Sequence, residues 1–120
     1  MGYYTKFNLS AVDRTTGLWP DTELECEMAR ALWHLIYAKN YWKPSCFEDC
    51  FDEEMKWYDH TSDMIAFSKL YPDYVFVLCG VGEEPDDQWR LFVCNGEAEE
   101  TIARIVYDEP QNELFRSVLI

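Results

Sequence analysis

The chain has no apolar run that approaches the roughly 18–20 residues needed to cross a membrane, although 48% of its 120 residues are hydrophobic. Its opening, Met1 to Lys6, lacks the apolar stretch of a signal peptide, and Lys6 stands where a myristoylation signal has Ser or Thr. Gly-rich phosphate loops and the ordered acidic spacing of an EF-hand are also missing. We therefore expect a cytoplasmic protein that binds no cofactor and no membrane.

The scarcity of basic residues limits the classes of partner. Ten Lys and Arg residues stand against 23 Asp and Glu residues, so the formal charge is −13. Phosphate backbones and anionic membranes repel such a chain. Direct nucleic-acid binding is therefore not expected, and a basic protein, including one that itself binds nucleic acid, is the expected partner. The alternative is that the acidic residues only keep an aromatic-rich surface soluble.

The cysteines do not fit a disulfide framework, because their number is odd and no secretion signal is evident. We expect reduced thiols in a reducing compartment. Two of them lie in apolar, strand-like runs, where a free cysteine behaves as a small core side chain. These two are Cys79 and Cys94, and the others are Cys26, Cys46 and Cys50.

Cys46, Cys50 and His60 could be metal ligands. Cysteines at positions i and i+4 of a helix lie on one face, so both could bind one ion. Structural zinc, however, normally takes four ligands in paired short spacings. The alternative is a buried helix face on which the two cysteines accompany Phe47 and Phe51. We predict no metal site.

Two arrangements could suggest catalysis. Asp59 and His60 are adjacent, but sequence neighbours seldom point at each other, and the start of a helix explains them as well. A thiol of Cys46 or Cys50 could pair with a histidine, yet the surrounding carboxylates raise a thiol pKa rather than lower it. We therefore expect a protein that is not an enzyme.

The hydrophobic and aromatic content, 48% and 17%, is sufficient for a hydrophobic core. No repeat, low-complexity tract or long linker divides the chain, so residues 1–120 are predicted to form one acidic domain. Helical patterns occupy the first half and strand patterns the second. This order predicts an α+β fold, with a mainly antiparallel sheet of four to five strands and two to three helices packed on one face.

Apolar spacing predicts three helices, over residues 22–38, 46–54 and 62–71, the last ended by Pro72. Their predicted start signals are the capping boxes Thr22/Glu25 and Ser45/Glu48 and, for the third helix, Asp59, Thr61 or Ser62.

Alternating or continuous apolar runs predict the strands. The pattern indicates strands at 3–9, 74–79, 88–94 and 101–107, a brief extended stretch at 56–58 and loops at 10–20 and 82–87. The run at 74–79 is continuously apolar, which is typical of a central strand. Asn95-Gly96 is a strong hairpin signal.

The acidic residues are concentrated in blocks at 21–27, 48–54 and 83–87. Two blocks on one face would steer a basic partner. Aromatic anchors ringed by charge suit a protein interface, although most aromatic residues could instead fill the core. The predicted partner-binding residues are Glu48, Asp49, Asp52, Glu53, Glu83, Glu84, Asp86 and Asp87 on the acidic face, with Trp19 and Trp42 as exposed aromatic anchors. The alternative for the last block is a solvated hairpin tip.

A pattern over residues 55–107 resembles a known group of proteins. It comprises Trp57-Tyr58-Asp59-His60, Ser62-Asp63-Met64, Ser68, Tyr71-Pro72-Asp73, Phe76, Gly82-Glu83-Glu84, Trp89 and Asn95-Gly96. It is similar to a largely uncharacterised family of small proteins borne by phages, prophages and other mobile elements. The chain departs from that pattern at Val81 and at Pro85-Asp86-Asp87. The resemblance implies an accessory protein that acts in a bacterial host cell, and it carries over no catalytic residue.

Charge, aromatic content and resemblance together lead to one functional hypothesis. The chain is expected to bind and inhibit a basic host protein, such as a nucleic-acid-binding defence component, through an acidic, aromatic-rich surface. The alternative is a small-molecule-binding or sequestering protein with a pocket lined by tryptophan and tyrosine. The apolar C-terminal tail, residues 114–120, is expected either to dock on the domain or to form a homo-oligomer.

Overall fold

The computed structural model describes residues 4–37, 44–52 and 55–116. The elements in chain order are β1 (Lys6–Asp13), α1 (Thr22–Tyr37), a 3₁₀ helix (Phe47–Cys50), α2 (His60–Leu70), β2 (Tyr74–Val81), β3 (Gln88–Cys94), β4 (Glu97–Ile102) and the single-turn α3 (Glu113–Arg116). This arrangement confirms the predicted α+β fold.

The four strands form one antiparallel sheet in the order β1-β2-β3-β4. The continuously apolar strand β2 is paired on both sides, as its composition predicts. Leu9 lies opposite Leu78, which in turn lies opposite Leu91, so the three side chains form one row across the sheet. The extended stretch before α2 contributes an isolated bridge between Thr5 and Met55.

One face of the sheet is buried and the other is not. The buried face carries Leu9 and Ala11 of β1, Phe76 and Leu78 of β2, and Leu91 and Val93 of β3. Because side chains alternate between faces along a strand, their neighbours point to the opposite face. Cys79 and Cys94 belong to that second face and are only partly buried. The prediction that they are core side chains is therefore wrong.

Helix α1 begins as predicted, but its cap is different. Asp21 accepts a hydrogen bond from the backbone N–H of Leu24 at 2.8 Å, which makes Asp21 the capping residue. The predicted capping box of Thr22 and Glu25 is therefore wrong by one position. The carboxylate of Glu25 is turned instead toward the loop before the helix and toward the 3₁₀ helix.

The predicted helix at 46–54 is a single turn of 3₁₀ helix, Phe47–Cys50, within the described residues. Its predicted capping box is also wrong: Asp49, not Glu48, accepts a hydrogen bond from the backbone N–H of Ser45, at 2.9 Å. The turn ends in the extended residue Phe51. Phe47 and Cys50 are buried against α1, and the short turn suffices to place them there.

Helix α2 packs on the buried face of the sheet, against β2, β3 and β4. The indole of Trp57 donates a hydrogen bond to Asp63 at 2.7 Å, which fixes the approach to the helix. The buried hydroxyl of Ser68 accepts a hydrogen bond from the backbone N–H of Gly96 at 2.9 Å. The helix is thereby bonded directly to the β3–β4 turn. No side-chain cap is formed by Asp59 at its N-terminus.

Several strand boundaries differ from the prediction, and β2 runs two residues further than predicted, to Val81. Strand β1 continues to Asp13, whose side chain accepts the backbone N–H groups of Thr15 and Thr16 and so closes a tight turn. Strand β4 begins at Glu97, immediately after Asn95 and Gly96. Both turn residues have positive φ, 45° and 86°, as a two-residue type I′ hairpin requires. Such a turn sets Glu97 directly opposite Cys94.

The residues after β4 extend away from the sheet. The predicted return strand at 101–107 ends at Ile102, and Val106 and Tyr107 are 82% and 87% exposed. The radius of gyration is 18.2 Å, against about 14 Å for a compact chain of this length. Within the described residues, no helix is both long and apolar enough to span a membrane.

Candidate functional site

A cleft of about 570 Å³ lies beside β1, at the edge of the sheet. One wall is formed by five consecutive residues of the strand, Lys6 to Ser10. The opposite wall comes from the loop before α1, the first turn of α1 and the segment around the 3₁₀ helix. The residues of that wall are Trp19, Glu25, Cys46, Phe47, Glu48, Phe51 and Asp52.

Glu25 holds the aromatic part of this wall together. One carboxylate oxygen accepts a hydrogen bond from the indole nitrogen of Trp19 at 3.0 Å, and the other accepts one from the backbone N–H of Phe47 at 3.0 Å. The rings of Trp19 and Phe47 meet edge to face, with centroids 6.0 Å apart. Trp19 is still 46% exposed, so it presents an indole surface to the cleft.

Three of the predicted partner-binding residues meet at this cleft. Glu48 and Asp52 contribute carboxylates to its rim, next to Trp19. Both acidic residues are exposed, and neither side chain is bonded to another residue in the described ranges. Asp49 points away, toward the backbone of Ser45. Trp42 and Glu53 lie outside the described residues.

The other predicted acidic block forms the β2–β3 turn. Its backbone is closed by bonds from Gly82 N to Asp87 O and from Asp87 N to Glu84 O. Glu83 borders a shallow depression of about 320 Å³ that it shares with Lys6. Lys6 also lines the cleft. Lys6 therefore borders surfaces lined by residues of both acidic blocks. The other predicted binding residues of the β2–β3 turn are Glu84 and Asp86, which are exposed, and Asp87, which is half-buried.

The thiol of Cys50 is unsuited to nucleophilic or metal chemistry. It is buried and donates to the carbonyl oxygen of Ala29 at 3.2 Å. Burial, with help from Asp49 and Glu25, raises the pKa of Cys50 to about 12, so the thiol stays protonated at neutral pH. In the described part of the chain, no three His, Cys, Asp or Glu residues cluster as metal ligands would.

His60 packs against aromatic residues between α2 and the sheet. Its ring stacks on Trp89 with centroids 4.6 Å apart and planes 18° apart. Its Nδ1 lies 2.9 Å from the carbonyl oxygen of Trp57. His60, Trp57 and Trp89 all belong to the pattern that resembles mobile-element proteins. Several residues of that pattern therefore hold α2 against the sheet.

Sequence reasoning missed part of the cleft. It assigned Phe47 and Phe51 to a helix face and Glu25 to a capping box, although all three line the wall opposite β1. A signal was available in the alternation of β1, which favours an edge or half-buried strand without naming its neighbour. The wall depends on contacts between segments more than 20 residues apart in sequence, such as Glu25 and Phe47.

No family model, curated protein or solved structure matches this chain. The resemblance to phage and prophage proteins therefore stays a prediction, and the geometry of the cleft carries the functional argument.

Proposed function

We propose that this chain is a non-enzymatic accessory protein of a phage or other mobile element that binds and inhibits a basic host protein. The observation that carries the proposal is the cleft beside β1, where Trp19 lies next to the exposed carboxylates of Glu48 and Asp52. An exposed indole beside exposed carboxylates is suited to cationic side chains. The formal charge of −13 favours encounter with a basic surface.

The target class follows from the charge. Proteins that act on nucleic acids present basic channels, and an acidic surface competes for them with the phosphate backbone. A host defence component of this class, such as a nuclease, is the target that we propose. The resemblance to mobile-element proteins supports the same class.

The alternative function, a small-molecule pocket lined by tryptophan and tyrosine, has less support. Among the described residues, one tryptophan and no tyrosine line the cleft, together with the exposed carboxylates of Glu48 and Asp52. Tyr37 and Tyr71, which could have lined a pocket, donate their hydroxyls to Cys50 O and Glu27. No described observation favours this alternative over a protein partner.

The test is capture of a host protein from nuclease-treated bacterial lysate, followed by an assay of its nucleic-acid binding. We expect one stoichiometric basic protein that is retained at low salt and lost near 1 M salt, because the screening length falls from about 10 Å to about 3 Å. Adding the purified acidic protein is expected to lower the captured protein's nucleic-acid binding. Unchanged nucleic-acid binding would contradict inhibition.

Two double variants locate the binding surface. Glu48→Gln with Asp52→Asn removes two charges at the cleft, and Glu97→Gln with Glu99→Gln removes two charges on β4, away from it. We expect the first pair to weaken capture and the second to leave it nearly unchanged. Equal effects would mean that net charge alone, and not the cleft, governs binding.

We also propose that the C-terminal segment is covered by a second copy of the chain. Leu114 and Phe115 of α3 are 72% and 55% exposed, and residues 117–120 lie outside the described ranges. Two large apolar side chains that are exposed next to each other on one short helix favour association. Sedimentation should give a concentration-dependent mass, and Leu114→Ser with Phe115→Ser should restore a monomer. A monomer in the unmodified protein at all concentrations would contradict this part of the proposal.

A further inference from the structure

The face of the sheet that points away from the helices is apolar at its centre. Because side chains alternate between faces along a strand, Val75 and Val77 of β2 and Phe92 of β3 point to this second face. Val77 and Phe92 lie directly opposite each other in the ladder. The three side chains are half-buried, and they do not belong to the described core that the helices cover. We call these three residues the open patch.

The described helices leave the open patch uncovered. Helix α2 packs on the core face of the sheet, and α1 packs on α2 and on the 3₁₀ helix. No Cα atom of α3 lies within 8 Å of another helix or strand in the described part of the chain. A depression of about 380 Å³ marks the patch, and Val75, Phe92 and Cys94 line it together with Glu97 and Glu99 of β4. An apolar floor beside two carboxylates is thus exposed to a partner.

The single-turn helix α3 has matching chemistry. Leu114 and Phe115 are two large apolar side chains that are both exposed. Arg116 follows them directly and donates its Nε–H to the carbonyl oxygen of Pro110 at 2.9 Å, in an exposed bond. A guanidinium has five N–H donors, so its terminal nitrogens can still reach a carboxylate. Helix α3 therefore presents two apolar side chains beside one positive charge, which complements an apolar floor beside two negative charges.

We propose that the open patch of one chain receives Leu114 and Phe115 from a second copy, and that the exchange is reciprocal. The proposal rests on the association of two copies proposed above, and it names the surface that covers the C-terminal segment. The apolar side chains pack on the open patch, while Arg116 reaches the carboxylates of Glu97 and Glu99. A twofold axis makes the same contact twice, as in most homodimers.

The path of the chain after β4 favours a second copy over the chain's own sheet. Residues 103–112 form no helix or strand, and about ten extended residues span up to about 33 Å. That reach exceeds the width of a four-stranded sheet, which is about 14 Å. The segment leads away from its own sheet, and the described chain measures 61 × 41 × 23 Å. One chain leaves both α3 and the open patch exposed, whereas two copies cover both surfaces at once.

Salt separates this contact from capture of a basic host protein. Two copies that each carry a formal charge of −13 repel each other at long range. Salt screens that repulsion and does not weaken apolar burial. Association of the two copies should therefore strengthen with salt, whereas capture of a basic protein is expected to weaken.

Sedimentation equilibrium of the full chain measures the dimer Kd. Raising sodium chloride from about 0.05 M to about 0.5 M should lower that Kd. Phe92→Ser should raise it about tenfold or more, because the variant removes the largest ring of the open patch. Ile102→Ser is the matched control: Ile102 is also exposed and apolar, but it lies opposite Trp89 and so belongs to the other face of the sheet. Equal effects of the two variants would overturn the assignment to the open patch.

A second pair of variants tests the charge on α3. Arg116→Glu and Arg104→Glu change the net charge of the chain by the same amount, and both residues are exposed in the C-terminal segment. Only the first places a like charge beside Glu97 and Glu99, so Arg116→Glu should weaken the dimer more than Arg104→Glu. Equal weakening would refute the docking of α3 beside these carboxylates.

Isotope-filtered NMR reads the contact without any substitution. In a mixture of ¹³C-labelled and unlabelled chains, we expect NOEs between the Phe115 ring of one copy and the Val77 methyl groups of the other. A dimer without these NOEs would refute the open patch and leave the association standing. The same NOEs within a monomer would mean that the chain covers its own patch, which refutes the second copy. A chain that stays monomeric and still captures a basic host protein would refute the dimer and leave the inhibitory function standing.

Discussion

The carboxylate of Glu25 accepts the indole N–H of Trp19 with one oxygen and the backbone N–H of Phe47 with the other, each at 3.0 Å. One acidic side chain on the first turn of α1 thus joins the loop before the helix to a segment more than 20 residues later. The negative charge also lies near the positive end of the helix dipole, where it is favourable. The cleft wall depends on this residue.

Glu25→Gln tests that dependence. An amide keeps the shape but offers one acceptor oxygen, so one of the two donors loses its partner. We expect a loss of about 1–2 kcal/mol in the free energy of unfolding, together with a shift in Trp19 fluorescence, measured by urea denaturation. Glu23→Gln is the matched control, because Glu23 lies in the same helical turn and is exposed. Equal effects of the two variants would show that only the helix dipole matters.

Gly80→Ala tests the contact between β2 and β3. Trp89 lies opposite Gly80 in the ladder, and a Cβ added to Gly80 would overlap the six-membered ring of the indole. We expect a loss of about 1–3 kcal/mol in unfolding free energy from overpacking. In a Trp89→Leu background the same change should cost less, because the ring is gone. A cost that is the same in both backgrounds would place the strain elsewhere.

Ser68→Ala tests the bond between α2 and the β3–β4 turn. The variant leaves the backbone N–H of Gly96 without its acceptor, which should cost about 1–3 kcal/mol. Amide exchange at Gly96 should accelerate with it. Ser62→Ala removes a hydroxyl that only reaches Asp59 O in an exposed turn, and it should change stability by less than about 0.5 kcal/mol. A neutral Ser68→Ala variant would contradict the assigned role.

The raised pKa of the buried Cys50 thiol should make the folded chain less stable at high pH. The thiol has a pKa of about 12 in the folded chain, against 9.0 for an unperturbed thiol. Between those values the folded state holds a proton that the unfolded state has released, so stability falls as pH rises from 9 to 12. The slope from this group is at most about 1.4 kcal/mol per pH unit.

Urea denaturation at several pH values, with Cys50→Ser as the non-ionising comparison, measures this slope. The serine variant should lose stability less steeply above pH 9. Burial also raises the pKa of Tyr37 to about 12, so some decline above pH 10 should remain. Identical slopes in the two proteins would refute the contribution of Cys50.

Local patterns predicted much of the scaffold. The 3.6-residue spacing of apolar side chains located α1, and the continuous run of β2 identified a strand paired on both sides. Asn95-Gly96 predicted the hairpin, because positive φ at two consecutive positions is a local requirement of that turn. In each case a few neighbouring residues carry the information.

The predicted caps and element boundaries were wrong where a side chain contacts residues that are distant in sequence. Glu25 fits a capping box by spacing, yet its carboxylate bonds to Trp19 and Phe47. The segment around Phe47 has helical spacing, yet only one 3₁₀ turn forms in its described part. Tertiary contacts overrode the local preference at both sites.

By itself, the sequence determined the fold class, the central strand, the hairpin and the excess of acid, since each follows from composition or from neighbours along the chain. Only the tertiary structure decided that Trp19, Glu48 and Asp52 share one cleft and that strand β1 forms its other wall. Those residues are brought together by long-range packing, and a local sequence pattern does not specify which distant segments will meet. The candidate site lies where those segments meet.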